Sequence, residues 1–207
     1  MFFYNVKAWP SLEITRLDKI LKVTLLRLVP RRVRPNQLTA LRLLMIPVVA
    51  ALLVYGKYQT GLPLFLLAAL TDLADGAMAR TRNQVTDWGT LYDPIADKLL
   101  IGITAAIMMF TFLHWSIPLA IIGVELCLIG GTIFESRRLT VNIRPNIWGK
   151  WKGFFQFLGL TLLIAYALYS TPVFLKAAWY ILLTAIGFGV VSLVAYKRRL
   201  MAEASNA

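Results

Sequence analysis

Asp72-Leu73-Ala74-Asp75-Gly76-Ala77-Met78-Ala79-Arg80, then eight residues, then Gly89-Thr90-Leu91-Tyr92-Asp93-Pro94-Ile95-Ala96-Asp97: the reading of the chain turns on this stretch. It falls where one apolar segment ends and the next begins. With helical flanks, Asp72 and Asp75 lie one turn apart at i, i+3, and Asp93 and Asp97 at i, i+4, so each pair shares a face. Two helices that each present two carboxylates can enclose a hard cation in oxygen ligands alone.

Around this stretch the chain is too apolar for an ordinary soluble domain: 58% of its 207 residues are hydrophobic and 15% charged. Six apolar segments, at 37–55, 61–80, 93–113, 117–134, 153–170 and 173–196, approach the length of about 20 residues with which a helix crosses a bilayer. Backbone groups in lipid must be satisfied within the segment, which leaves helices as the plausible form. The expected fold is an all-α integral membrane protein, six transmembrane helices preceded by an amphipathic interfacial helix. Residues 1–34 form the juxtamembrane segment, 35–200 the membrane domain, and 201–207 a frayed polar tail. Pro47 is expected to kink the first span, and Gly61 to open the second.

The net charge of +12 is informative through its placement. Arg16, Lys19, Lys22, Arg27, Arg31, Arg32 and Arg34 alternate with Ile14, Leu17, Ile20, Leu21, Leu25 and Leu28 at helical spacing. This pattern suits a helix lying among anionic headgroups. A nucleic-acid-binding arm is the rival, disfavoured by the apolar stripe and the hydrophobic chain that follows. With the N-terminus cytoplasmic, Arg80, Arg82, the Arg137–Lys152 connector and Lys197-Arg198-Arg199 share that side, leaving Lys57 and Lys176 opposite. Lysine and arginine placement therefore predicts six spans with both ends in the cytoplasm. Trp115 and Trp179 would mark the far interface, and Trp88, Trp148 and Trp151 the near one. Met1–Pro10 lacks the basic-then-apolar order of a signal peptide. The lone cysteine, Cys127, excludes an intrachain disulfide and a cysteine-built metal site, and is expected to be buried. His114, near the far interface, is expected to be structural.

An aspartate at a helix centre costs roughly 3 kcal/mol on the insertion scale, against about 0.5 returned by an apolar residue. Two such acids at the end of the second segment are a functional-site hypothesis, and four near one membrane level need a cation to offset their repulsion. Carboxylates without histidine or cysteine nearby select magnesium, manganese or calcium rather than zinc. Magnesium held mainly by carboxylates usually engages substrate phosphates too. Gly76 and Gly89 leave room for a ligand, and Arg80 can grip a phosphate in fork geometry. The residues point to metal-assisted phosphate chemistry at the cytoplasmic interface. Three rivals stay open: purely interfacial carboxylates, a small cation transporter using the acids as a relay, and a catalytically silent scaffold. The Gly76, Arg80 and Gly89 framework serves a phosphate and has no evident use in ion passage.

Spelled D-x-x-D-G-x-x-A-R-x8-G-x-x-x-D-x-x-x-D, the stretch resembles the signature of the CDP-alcohol phosphotransferase family at every defined position, over about an eighth of the chain. Pro35-Asn36-Gln37-Leu38-Thr39 resembles that family's opening motif, and Asn36 reads equally as a helix cap. The resemblance implies that CDP-diacylglycerol binds in a cavity open to the cytoplasm, an acceptor hydroxyl attacks the lipid-bearing phosphorus, and CMP departs. It implies that Asp72, Asp75 and Asp93 hold one or two magnesium or manganese ions with help from Asp97, which is also the general base. Asn36, Thr39, Asp72, Gly76, Ala79, Arg80, Thr86 and Gly89 would contact the CDP-lipid, and the protein would form homodimers in a bacterial cell membrane, with no nucleic-acid partner. Asp93-Pro94-Ile95-Ala96-Asp97-Lys98 and Gly149-Lys150-Trp151-Lys152, with Gln156, resemble segments of phosphatidylglycerophosphate synthases. That version implies glycerol 3-phosphate as acceptor, with phosphatidylglycerol or inositol phosphate as alternatives. The chain departs from it at Gly153, commonly threonine there, and at Val124-Glu125, usually Arg-Glu. Glu125, as an acid within a span, and the basic cluster Arg137, Arg138, Arg144, Lys150 and Lys152 are the candidate acceptor site. The cluster reads equally as a topology determinant. Gly149 and Gly153, with Gly123, Gly130 and Gly131, are expected to permit close helix packing, within a subunit or between two.

Overall fold

A computed structural model describes residues 33–81, 87–138 and 147–205. The amphipathic helix expected before the first span, Thr86 and Arg144 lie outside the described residues. Six helices and no strands occur among those described: α1 (Pro35–Val54), α2 (Tyr58–Thr81), α3 (Asp87–Phe112), α4 (Ser116–Arg138), α5 (Ile147–Tyr169) and α6 (Pro172–Ser205). Five are long and apolar enough to cross a membrane, namely α1, α2, α3, α5 and α6. The described apolar part of α4, Ser116–Cys127, is shorter. The protein is an all-α integral membrane protein.

The helix ends follow from local chemistry. At the start of α1, Pro35 takes the first helical position, where its missing N–H costs nothing. Gln37 Oε1 accepts from Arg34 N at 2.9 Å, half of a capping box. Asn36 is therefore inside the first turn, and the cap expected of it is made by Gln37 instead. Gly56, at φ 69°, closes α1. Gly56 N donates to Leu53 O at 3.1 Å and Lys57 N to Leu52 O at 2.8 Å, the paired bonds of a Schellman motif that only a residue at ease with positive φ accommodates. α2 begins at Tyr58 rather than at Gly61. Gly61 sits within its first turn, where a Cβ would approach Leu53 Cδ2 to 3.1 Å. The helical assignment of α1 continues through Pro47. α6 runs to Ser205, so residues 201–205 of the tail expected to fray are helical.

Two compact units share these helices. One holds residues 33–48, 64–81 and 87–100, and the other 49–63 and the described residues from 101 onward. In the first, Leu38 of α1 packs with Ala74, Ala77 and Met78 of α2, and Val33 closes on them. In the second, α5 and α6 form an antiparallel hairpin and α4 packs on α6. A Cβ at Gly159 would fall 2.6 Å from Leu182 Cδ2, and one at Gly189 2.5 Å from Val124 Cγ1. Those two glycines let the backbones approach, the currency of helix packing where lipid tails are as apolar as the helices. Of the glycines expected in that role, Gly123, Gly130 and Gly153 face open space, Gly149 has Ser192 Oγ at 3.6 Å, and the surroundings of Gly131 lie outside the described ones. Cys127, expected to be buried, is exposed on α4. On a helix that faces lipid, an exposed thiol carries little cost. Trp115, Trp148, Trp151 and Trp179 are all exposed. His114 Nδ1 lies 2.9 Å from Ser116 Oγ at the start of α4, a structural contact.

Candidate functional site

α1 presents Thr39 and Arg42 one turn apart, and both are buried to about 1% exposure or less. Arg42 reaches three residues of α2. Its Nε lies 3.4 Å from Thr71 Oγ1, whose own proton goes to Ala68 O at 2.6 Å, leaving a lone pair for the guanidinium. Its Nη2 donates to Asp75 Oδ2. Its Nη1 stands 2.8 Å from Asp72 Oδ1 but makes no aligned hydrogen bond, so that contact is chiefly electrostatic. Asp75 is buried, and Asp72 is partly exposed. The guanidinium fork suits such two-carboxylate bridging because its five donors are fixed in one plane.

Thr39 carries the network to α3. Its Oγ1 is 2.5 Å from Asp93 Oδ1, 3.4 Å from Asp75 Oδ2 and 3.4 Å from Pro35 O. A hydroxyl has one proton, and the shortest contact assigns it to Asp93. A continuous polar chain thus runs Asp72, Arg42, Asp75, Thr39, Asp93 through three otherwise apolar helices. Asp97, one helical turn beyond Asp93, is half-buried and has partners of its own.

Three carboxylates gather around one guanidinium: Asp72 and Asp75 on α2, and Asp93 on α3 two residues before the apolar span that begins at Ile95. Carboxylates at close quarters favour a cation, and oxygen-only donors select a hard one. The donor set therefore fits a divalent ion. Among the described residues, however, no three acidic, histidine or cysteine side chains form a ready-made cage. Arg42 already engages two of the acids, Asp72 and Asp75.

The remaining sequence-predicted residues are distributed as follows. Asn36 lies in the first turn of α1, Gly76 directly after Asp75 in α2, Ala79 and Arg80 in the last turn of α2, and Gly89 in the first turn of α3. The side chains of Ala79, Arg80, Arg137 and Arg138 are outside the described ones. In the second unit, Lys152 Nζ donates to Glu125 Oε1 at 2.5 Å, beside a small cavity also lined by Gln156 and Val124. Gln156 is buried and Lys150 is exposed. Sequence reasoning predicted neither Arg42 nor its bridge between the two acids. The signal was present: a lone arginine between Leu41 and Leu43 of an apolar span is itself a functional-site hypothesis.

Residues 32–191 match the sequence model of the family described as CDP-alcohol phosphatidyltransferase. A protein of Rickettsia typhi named CDP-diacylglycerol--glycerol-3-phosphate 3-phosphatidyltransferase is 35% identical over 133 residues, 63% of this chain and 75% of its own. A Rickettsia bellii protein of the same name is 31% identical over 157 residues, 74% of this chain and 87% of its own. A Mycobacterium tuberculosis protein named probable phosphatidylglycerophosphate synthase is 34% identical over 137 residues, covering 62% of this chain and 64% of its own.

Proposed function

The chain belongs to the CDP-alcohol phosphatidyltransferase family, and from that premise we propose that it transfers a phosphatidyl group from CDP-diacylglycerol to glycerol 3-phosphate. The products are phosphatidylglycerophosphate and CMP. The observation that carries the reading is the polar chain from Asp72 to Asp93, built on the family's signature residues and placed inside apolar helices. The relatives named for glycerol 3-phosphate support the choice of acceptor.

Asp72, Asp75 and Asp93 would hold magnesium or manganese, with Asp97 completing the set. When bound, the ion supplies neutralising charge for the diphosphate and for the departing CMP. The chain's own side chains do the rest. Asp97 takes the proton of the acceptor's primary hydroxyl as that oxygen bonds to the lipid-bearing phosphorus, and the bond from this phosphorus to the CMP oxygen breaks. Thr39 fixes the Asp93 carboxylate by its short hydrogen bond, which keeps the acid oriented before substrate arrives. Gly76 and Gly89 leave room for the nucleotide, and Asn36, Ala79, Arg80 and Thr86 line its path. Lys150 and Lys152, with Arg137, Arg138 and Arg144, recognise the acceptor phosphate, and Glu125 lines the acceptor site.

The site faces the cytoplasm with both termini on that side, as the distribution of lysine and arginine supports, and the protein lies in a bacterial cell membrane, as the bacterial relatives support. The working unit is a homodimer.

Purified protein in micelles, given CDP-diacylglycerol, magnesium and one acceptor at a time, tests the reading through CMP release and product identification. Glycerol 3-phosphate should yield phosphatidylglycerophosphate. Equal CMP release with and without every acceptor would contradict a transferase. Product formed only with phosphatidylglycerol or inositol phosphate would move the assignment within the family.

A further inference from the structure

Arg42 is completely buried in α1, and the chemistry above gives it no task. Its three partners, Thr71, Asp72 and Asp75, all belong to α2. Two of those partners are the acids assigned to the metal. Carboxylates at i, i+3 repel one another, and Asp75 has almost no access to solvent that could screen it. Removing the guanidinium would leave Asp75 buried and unpaired, the costly state for an interior charge. The same guanidinium repels any cation that approaches those two acids. Stabilisation of the metal-free site and resistance to the metal therefore come from one side chain.

We propose that Arg42 is a positioning residue, a resident counter-charge that holds Asp72 and Asp75 in place before a divalent cation arrives and sets how tightly that cation binds. The proposal rests on the metal reading above. It separates Arg42 from lysine, because an ammonium preserves the charge but cannot bridge two carboxylates and a hydroxyl in one fixed plane.

The test uses the full chain in micelles with magnesium alone, no lipid substrate and no acceptor. Thermal midpoint and calorimetric magnesium titration are recorded for the native protein, Arg42→Met and Arg42→Lys. In Arg42→Met the metal-free midpoint should fall by roughly 6–20 °C, magnesium should restore a larger part of it than it adds to the native protein, and half-saturation should come at a magnesium concentration about tenfold lower or less. Arg42→Lys should lower the metal-free midpoint yet keep half-saturation near native. Equal loss with and without magnesium at unchanged half-saturation would reduce Arg42 to packing and overturn the proposal, as would weaker magnesium binding in Arg42→Met. Should Arg42→Met not fold, adding Asp75→Asn must restore folding, since no unpaired carboxylate is then buried; a double variant that also fails overturns the proposal. A native protein that gives no magnesium response overturns the metal reading and this one together. A native response that Arg42→Met leaves unmoved overturns this one alone.

Discussion

Replacing Thr39 by valine isolates one hydrogen bond with little change of shape. Thr39 is buried, and its hydroxyl donates to Asp93 Oδ1 at 2.5 Å, the other acceptors standing 0.9 Å further off at 3.4 Å. Valine fills the same space, so no cavity term enters, and the loss is that of one hydrogen bond to a charged group, about 1.5–3 kcal/mol. Asp93 is half-buried and recovers some hydration, which favours the lower half of that range. At about 2–4 °C per kcal/mol for a chain of this size, Thr39→Val should melt about 3–9 °C below the native protein. Thr39→Ser keeps the donor and loses a methyl group, so it should recover more than half of the deficit. Tryptophan-fluorescence melting in detergent measures both variants side by side. Identical midpoints for valine and serine, or a valine variant within a degree of native, would refute the claim that this hydroxyl ties α1 to α3.

Asp97→Asn should lower turnover by a factor of about 100 or more, as expected for a lost general base, while CDP-lipid binding measured by calorimetry persists; unchanged turnover would remove Asp97 from that role. Gly189→Ala places a methyl 2.5 Å from Val124 Cγ1 and should cost about 1–3 kcal/mol by overpacking, with Val124→Ala restoring most of the loss; an unaffected melt would mean that α4 and α6 are not held at this spacing. Lys152→Met breaks the ion pair with Glu125 and should raise the KM for glycerol 3-phosphate at least about tenfold while that for CDP-diacylglycerol holds; a rise in both would make the pair a general packing element.

Hydropathy marked every helix among the described residues, because apolar side chains and satisfied backbone are what lipid demands. It misplaced the ends for a physical reason: a helix does not stop where its apolar run stops. α5 starts at Ile147, six residues before the expected 153, through Trp148-Gly149-Lys150-Trp151-Lys152, and α6 continues past 196 through Lys197-Arg198-Arg199. Hydrogen bonding along the axis persists in the headgroup layer with polar side chains attached. The acids of the site were legible because their helical spacing repeats within each helix. Arg42 was not predicted, because its partners lie on a different helix and only the tertiary fold brings them together. Gly159 and Gly189 were missed as packing glycines for the same cause, since a small-residue pattern names candidates on a helix without saying which face meets a neighbour.

The turn between α5 and α6 consists of Ser170 and Thr171 alone, with Ser170 at φ 52° and Pro172 starting the next helix. So brief a link gives an insertion machine almost no hydrophilic cargo to push through the bilayer. Gly159 seats against Leu182 near the middle of the hairpin, so its two arms can zip together as they enter. In biogenesis, α5 and α6 would then arrive as a paired module rather than as two independent crossings.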